Sequence, residues 1–535
     1  MATHLVISLL VATLVVVGVK IFYNAVQRKP GPLPPGPKGW PILGNITDFP
    51  KADEPEYEHW LKHKDTYATN TYDEAGPISS VTVLGTTQVI LHSAELTTQL
   101  FEKRSSVYSS RPKLIFAKLC RFYDIFSLLP YNKQHQLTRK LLHTALGTEK
   151  LAGRYIHIQE KEAHRFLLRV LQKPDSLLDH IKVEAAAIIL KMVYGYTVEP
   201  HKPDPLVRIV DEAMSYFSAT FAVGARLVDF IPALQYVPEW VPGTGWKQVA
   251  KKCHATVTAT VEIPLRFARK RYASGDFEPS MVSEFYGSRG DKISEDLQHC
   301  FESAATTAYF GGSDTTVNTL CVFFYNMTTA PEIQRKAQEE IDRVIGNGRL
   351  PEYSDKDNLP YVSAIVLESF RWHTVVPLAA PHTTDADDVV NGYHIPKGTT
   401  FLPNVWWFTH DPEVYPNPSE FNPSRFLGPN PNPDPGKHVF GYGRRICPGR
   451  YLALSSTWIT IARTLAVFDI SRGIDENGRE IEEAIKIVPG IVNRVEPFKA
   501  TFKPRSPQHE ALIRHAEELY PWEQSNADEL EHIVT

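Results

Sequence analysis

The chain has 535 residues, of which 43% are hydrophobic and 22% charged, so its composition is that of a globular protein and excludes a wholly disordered or fibrous chain. Its 57 basic and 61 acidic side chains give a net charge of −4, which leaves no basic excess to hold a nucleic-acid backbone. Five cysteines are too few for a disulfide framework and fit a reducing compartment.

The first predicted element is an apolar helix over residues 5–23. At about 1.5 Å per residue it would span about 28 Å, close to the hydrocarbon thickness of a bilayer. Lys20, Arg28 and Lys29 lie at the end of the run or beyond it, whereas a cleaved signal peptide, the alternative, carries its positive charges in front. We therefore expect a retained transmembrane anchor behind a lumenal stub of residues 1–4. The charge bias places the downstream chain on the cytoplasmic side.

A proline-rich linker follows at residues 24–45, where proline forbids a helix and favours stiff, extended backbone. The body, residues 46–505, is predicted to be mainly α-helical with small β-sheets and an irregular, proline-rich stretch before Cys447. The clearest helical patterns cover residues 159–171, 183–194, 246–272, 294–329 and 331–345, and the clearest β-like runs cover residues 80–84, 87–91 and 399–402. Residues 506–535 are polar and acidic, which predicts a surface helix and a frayed tail.

The strongest chemical signal is one cysteine in the glycine-rich run FGYGRRICPG, which begins at Phe440. Gly441 and Gly443 let the backbone bend toward a flat group, and Pro448 suits the first turn of a following helix. The N-terminus of that helix would favour a thiolate at Cys447, which suits a single axial iron ligand. A buried structural cysteine is the alternative reading.

Two charges and two glycines in apolar helices give the other signals. Glu368 and Arg371 share one helix face, so we expect a buried ion pair that fixes architecture. Glycines 311 and 312 each cost a helix about 1 kcal/mol relative to alanine, which indicates close approach of a ligand and a local opening of the helix. Thr315 can return its hydroxyl to a carbonyl one turn back, and Asp314 adds an acid. A kinked core helix is the alternative.

Together these segments resemble the cytochrome P450 family over nearly the whole chain, in the style of microsomal fungal members. The haem-loop pattern F-x-x-G-x-R-x-C-x-G is matched by Phe440, Gly443, Arg445, Cys447 and Gly449. The E-x-x-R pair is Glu368 and Arg371, with Arg425 of FNPSRF as the third member of a structural triad. The oxygen-activation pattern is matched by Gly311, Gly312, Asp314, Thr315 and Thr316.

One position departs from the family. His135 stands where the family has tryptophan in its W-x-x-x-R pattern, while Arg139 keeps its place. His135 could still donate a hydrogen bond to a haem propionate, and its charge could change with pH. The resemblance also implies propionate contacts from Arg139, His382 and Arg445.

The resemblance implies a single large haem domain that uses haem b, with Cys447 as the axial iron ligand and Gly311 against the cofactor. Asp314 and Thr315 would deliver protons during oxygen activation. Electrons would come from NADPH through a flavoprotein reductase, with cytochrome b5 as a further partner, at the endoplasmic reticulum membrane. The substrate pocket would be formed by Ala308, Phe310, Val375, Val376, Leu378 and Ala379, with residues 489–491 as further candidates.

The implied reaction is insertion of one oxygen atom of O2 into a lipophilic small molecule, such as a terpenoid or another secondary metabolite. Two other classes stay open on the sequence: a redox-independent haem-thiolate isomerase or dehydratase, and a non-catalytic haem sensor. The apolar stretch of residues 227–243 is expected either to dip into the membrane or to pack in the core.

Overall fold

The computed structural model describes residue 18 and residues 31–51, 54–67, 78–221, 226–290 and 292–534. The expected anchor at residues 5–23 lies outside these ranges apart from Gly18. Within the described ranges, no helix is both long enough and apolar enough to cross a bilayer.

The described chain is mainly helical, and the predicted helices are confirmed to within three residues at their ends, except that the helix predicted over residues 183–194 begins six residues earlier, at Leu177. The helices are α1 Glu56–Thr66, α2 Ala94–Thr98, α3 Ser105–Tyr108, α4 Ile115–Leu119, α5 Lys133–Leu146, α6 Glu149–Ala152, α7 Ile156–Gln172, α8 Leu177–Tyr194, α9 Pro205–Thr220, α10 Leu227–Phe230, α11 Trp246–Ser274, α12 Met281–Gly287, α13 Glu295–Thr329, α14 Pro331–Val344, α15 Pro360–Trp372, α16 Val405–His410, α17 Gly436–Val439, α18 Arg450–Val467, α19 Pro507–Arg514, α20 Ala516–Leu519 and α21 Glu531–Val534.

Helix α13 runs through the core and packs against α5, α8, α9, α15 and α18. Ser294 caps its N-terminus by accepting a hydrogen bond from the backbone N–H of Leu297. A Cβ at Gly312 would lie 2.3 Å from the side chain of Ile189 on α8, so this glycine lets two helices approach closely. The helix is continuous through both glycines, and the local opening expected from the sequence is not seen.

The strands form four small sheets, and the predicted β-runs are confirmed. The strands are β1 Ile78–Val83, β2 Thr86–Leu91, β3 His382–Thr383, β4 Asp388–Val390, β5 Tyr393–Ile395, β6 Thr400–Pro403, β7 Phe468–Arg472, β8 Ile487–Val488, β9 Arg494–Val495 and β10 Ala500–Pro504. The largest sheet has the order β1-β2-β6-β3, with β2 and β6 parallel and the other pairs antiparallel. The other three sheets have two strands each: β4 with β5, β7 with β10, and β8 with β9.

The described part of the proline-rich linker lies on the body of the protein. The carbonyl of Pro35 accepts a hydrogen bond from the N–H of Ser80, 2.8 Å away, and the N–H of Asn45 donates to the carbonyl of Thr82, 2.7 Å away. The segment is extended, as the prolines predict, but it adds backbone contacts to β1. Its described residues therefore belong structurally to the globular body.

The C-terminal segment packs on the body, so the frayed tail expected from its polar sequence is wrong for residues 506–534. Ile513 is fully buried, and Glu523 accepts a hydrogen bond from Lys191, 3.1 Å away. The backbone N–H of Asn526 donates to the carbonyl of Thr197, whose own N–H donates to the Asn526 side chain. These contacts use polar groups, which is why apolar patterning does not predict them.

Candidate active site

Cys447 and residues of helix α13 both line a largely apolar cavity of about 350 Å³. Most of the predicted site residues line it: Ala308, Phe310, Gly311, Thr315, Val375, Val376, Ala379, His382, Phe440, Arg445, Cys447 and Gly449. Further lining residues, which the sequence did not single out, are Arg111, Phe126, Leu128, Glu184, Ile188, Ile189, Met214 and Phe217. Of the further candidates at residues 489–491, Ile491 lines the cavity and the other two do not.

The loop before α18 holds Cys447 at the cavity. The N–H of Cys447 donates to the carbonyl of Phe440, 2.8 Å away, which closes the loop. Gly441 and Gly443 have φ values of 76° and 50°, in the left-handed region that favours glycine. A Cβ at Gly443 would lie 2.4 Å from the carbonyl oxygen of Phe101, so both conformation and space require glycine there.

Enclosure by protein sets the proton affinity of the Cys447 thiol. Burial raises its pKa, and the N–H of Gly449 and the charge of Arg139 act in the opposite direction. The sequence predicted that the helix N-terminus would favour a thiolate at Cys447. In the structure the raised pKa shows that the helix N-terminus is not sufficient for this. A metal cation bound to the sulfur would supply the stabilisation that the loop lacks.

Arg111 and Arg445 line the cavity, Arg139 lies close to them outside the lining, and all three donate to backbone carbonyls. Arg445 donates to Ser109 and Leu129 at 2.7 Å each, and its Nη1 is buried without a partner. Arg139 donates to the carbonyl of Ile446, 2.8 Å away. Among the described residues, none of Arg111, Arg139 and Arg445 forms an ion pair with a carboxylate. The region therefore has unneutralised positive charge that suits an acidic group.

The two predicted histidines differ. His382, on β3, lines the cavity, stacks on Phe101 with ring centroids 4.0 Å apart and contacts the Tyr108 carbonyl through Nδ1 at 2.7 Å. His135 is fully buried behind the cavity wall and stacks on Phe126, and neither ring nitrogen has a partner. Burial and the nearby arginines lower its pKa to about 2, so the pH-dependent charge considered for it is not expected.

These groups fit a haem. The glycine loop offers a flat wall and one sulfur, and the unpaired arginines with the orphaned nitrogens of His135 and Arg445 offer donors to two propionates. Cys447 would hold the iron, and Arg445, His382, His135 and Arg139 would lie around the carboxylates.

Glu368, Arg371 and Arg425 form the expected buried triad. Both oxygens of Glu368 accept from Arg371, at 2.7 and 2.8 Å, and Oε1 also accepts from Arg425 at 3.2 Å. Arg371 further donates to the carbonyls of Thr409 and Glu420. The pair is completely buried, so it ties α15 to the long irregular segment that ends at Cys447.

Thr315 and Asp314 face different surroundings although they are adjacent in the chain. Thr315 lines the cavity, and its hydroxyl donates to the Gly311 carbonyl at 2.8 Å, which is the back-bond expected from the sequence. Asp314 does not line the cavity; its Oδ1 accepts from Arg494 of β9 at 2.7 Å. Burial raises the pKa of Asp314, and Arg494 opposes this without cancelling it. Oδ2 is buried without a partner.

One candidate pocket residue lies elsewhere. Leu378 packs with Trp60, Val81 and Ile90 and borders a smaller pocket but not the main cavity, while its neighbour Ala379 lines both. Ala379 has a φ of 51°, in the left-handed region that residues with a side chain rarely adopt. This backbone conformation has no signal in the sequence.

Arg494 and Arg111 are functional candidates that the sequence did not indicate. Arg494 holds Asp314 from a strand 180 residues away, and Arg111 donates to the carbonyls of Ala380 and Pro381 beside the cavity. Isolated arginines carry no pattern that identifies such long-range partners. Arg111 becomes a candidate only in the folded structure, where it is buried and lines the same cavity as Arg445 and Cys447.

The helical fold and the apolar cavity lined by both Cys447 and helix α13 fit a haem-thiolate oxidoreductase. The cytochrome P450 family model matches residues 34–502, and the chain belongs to that family. It is 41% identical to cytochrome P450 monooxygenase CLM2 of Gibberella zeae, over 98% of this chain and 99% of that protein. It is 40% identical to multifunctional cytochrome P450 monooxygenase af510 of Aspergillus fumigatus, over 95% and 94%.

A third relative is O-methylsterigmatocystin oxidoreductase of Aspergillus flavus, which is 35% identical over 94% of this chain and 93% of its own length. The first two relatives are named cytochrome P450 monooxygenases, and the protein is accordingly a cytochrome P450 monooxygenase that uses haem iron. Supply of electrons from NADPH through a reductase is typical of this family.

Proposed function

We propose that this enzyme inserts one oxygen atom of O2 into an uncharged, lipophilic small molecule of secondary metabolism, such as a terpenoid. The observation that carries the proposal is the apolar cavity that separates Cys447 from Thr315. Such a cavity favours apolar ligands and excludes bulk water. Haem with a thiolate ligand supplies the oxygen-activating chemistry when bound.

The chain's own residues divide the remaining tasks. Cys447 would hold the iron through its sulfur, and Arg445, Arg139, His135 and His382 would neutralise or donate to the propionates. Thr315 presents its hydroxyl oxygen toward the cavity while its proton is engaged with Gly311, so it can accept a hydrogen bond from a water that carries a proton. Asp314 would exchange protons from behind this helix.

The pocket wall selects the substrate by shape and apolarity. Ala308, Phe310, Val375, Val376 and Ala379 supply methyl and aromatic surface. These five side chains offer no counter-ion, so a charged group placed against them would lose its hydration at a cost of several kcal/mol. The test is a substrate screen on membranes reconstituted with a reductase and NADPH, with mass spectrometry of products. Turnover without NADPH would contradict a monooxygenase reaction.

A flavoprotein reductase, and cytochrome b5 as a second donor, are proposed partners on the Cys447 side of the molecule. Exposed basic residues in α5 and the Cys447 loop include Lys133, Lys140 and Arg444. Basic groups at this position would attract an acidic electron-transfer surface. Reversing the charges of Lys140 and Arg444 should slow reduction by the reductase and leave reduction by dithionite unchanged.

We further propose that residues 5–23 anchor the chain in the endoplasmic reticulum membrane, with the haem domain, residues 46–505, facing the cytoplasm. The apolar stretch 227–243 supports a membrane-facing surface, because Tyr236 and Trp240 are each 81% exposed. Deleting residues 1–28 should weaken membrane association and preserve haem binding. Protection of the haem domain from protease in sealed microsomes would contradict the orientation.

A further inference from the structure

A buried acid lies in the cavity wall at a distance from the residues discussed above. Glu184 of α8 is 1% exposed and lines the cavity together with Ser456 and Thr460 of α18. Helix α18 rises about 16 Å between Gly449 and Thr460, so this acid marks the end of the cavity away from the Cys447 loop. Glu184 therefore lines the same apolar cavity as Cys447 and Thr315.

Only one oxygen of Glu184 is engaged. Oε1 accepts a hydrogen bond from the Thr460 hydroxyl, 2.6 Å away, whereas Oε2 is buried and has no hydrogen-bond partner. A carboxylate with an unpartnered buried oxygen is costly, and a proton on that oxygen removes the charge. The geometry therefore gives Glu184 a specific atom for proton uptake.

The charges that act on Glu184 come from α7 and α18. Arg169 and Glu162 of α7 are buried, their closest contact is 4.0 Å, and Arg169 leaves Nε and Nη2 without partners. Arg463 of α18 donates to two backbone carbonyls. From α13, the cavity wall beside α8 contains Thr319 and Leu320, which carry no charge.

Other titratable groups near α8 are engaged elsewhere. His180, one turn before Glu184, contacts the Lys173 carbonyl, and burial lowers its pKa. Among the carboxylates of the other helices packed on α8, Asp211 pairs with Lys182 of α8, Glu262 with Arg121, and Glu284 with Arg154.

The two charge states of Glu184 are close in free energy. Burial raises the pKa of Glu184 to about 7. The hydrogen bond from Thr460 and the charges of Arg169 and Arg463 lower it, and Glu162 raises it further. A change of one charge in the cavity can therefore shift the proton occupancy of this group near neutral pH.

We propose that Glu184 is a redox-linked acid, whose proton occupancy rises when the haem iron of the proposed site takes up one electron. The electron comes from the proposed reductase and reduces ferric to ferrous iron, and protons from solvent form the O–H bond on a larger fraction of the Glu184 carboxylates, which offsets part of the added negative charge. By linkage, the iron is reduced more easily when Glu184 is protonated. This role rests on the proposed haem site but not on the substrate.

The test is the midpoint potential of the haem in the full-length, substrate-free enzyme, measured by spectroelectrochemistry at a series of pH values from about 5.5 to 8.5. The potential of the wild-type protein should fall as pH rises. Glu184→Gln keeps the shape and one hydrogen-bond acceptor, and should lose most of this pH-dependent shift. Asp179→Asn, an exposed acid on the same helix, is the matched control and should retain it.

Thr460→Val provides a second variant, which covers the case in which Glu184→Gln does not fold. Without the hydroxyl donor the carboxylate is less stable, so the sloping part of the curve should move to higher pH. An unchanged slope in Glu184→Gln, or an unmoved curve in Thr460→Val, overturns the proposal. Absence of a thiolate spectrum in the wild-type protein would instead refute the haem site itself.

Discussion

The two walls of the cavity are built in different ways. The Cys447 wall is fixed by backbone geometry: a left-handed glycine loop, the bond from Cys447 to Phe440, and the buried triad behind it. The α13 wall is a continuous helix whose function depends on which way each side chain points, and Thr315 and Asp314 point to different environments. Changes in the first wall should therefore abolish the site, and changes in the second should tune it.

The largest effect should come from Cys447→Ala. The loop has no second sulfur, and the described residues contain no cluster of three or more histidine, cysteine or acidic residues that could hold a metal. The thiolate-specific spectrum of the reduced carbon-monoxide complex should be lost. The far-ultraviolet circular dichroism should be retained, because the loop is closed by backbone bonds. A retained thiolate spectrum would contradict the assignment of the ligand.

Arg371→Met should come next, because it leaves Glu368 as a buried carboxylate with only Arg425 as a cationic partner. Removing one partner of a buried ion pair lowers the free energy of unfolding by about 3–5 kcal/mol. Denaturant titration measures this, and haem content should fall with it. Arg335→Met, which breaks exposed pairs with Glu332 and Glu339, is the control and should leave stability nearly unchanged.

Thr315→Val should have a smaller effect on stability and a selective effect on turnover. Valine removes the hydrogen bond to Gly311, worth about 1 kcal/mol, and keeps the shape of the side chain. If the hydroxyl holds a proton-carrying water, product formed per NADPH consumed should fall and peroxide should rise. The substrate-induced spin shift controls for binding. An unchanged ratio with intact haem would assign Thr315 a structural role only.

Asp314→Asn should give the smallest change and show in the pH dependence of stability. Burial raises the pKa of Asp314 in the folded protein above its ordinary value near 3.8. The unfolded chain therefore loses its proton first, and stability falls as pH rises from that value through the folded pKa. The asparagine variant should lack this fall in denaturant titrations at mildly acidic pH. An identical pH profile would mean that the carboxyl is not buried as described.

The sequence predicts the first wall better than the second. The motif around Cys447 records backbone requirements, because Gly441 and Gly443 are needed for local conformation and are visible as glycines. The sequence did not predict that Gly312 lies against Ile189, that Arg494 donates to Asp314, or that Leu378 lies outside the cavity lining. Those features depend on partners far along the chain or on a single φ angle. Periodicity and composition do not contain this information.

The packed C-terminal segment also has a consequence for the order of folding during synthesis. Glu523 accepts hydrogen bonds from Lys161 and Lys191, which precede it by 362 and 332 residues. Burial would raise the pKa of Glu523, but these two ammonium groups lower it to about 2. Because residue 523 is synthesised after both lysines and after the Cys447 loop, neither lysine can form its contact with Glu523 before that point. Helices α7 and α8 therefore acquire their final ionic contacts only after the haem loop has been made.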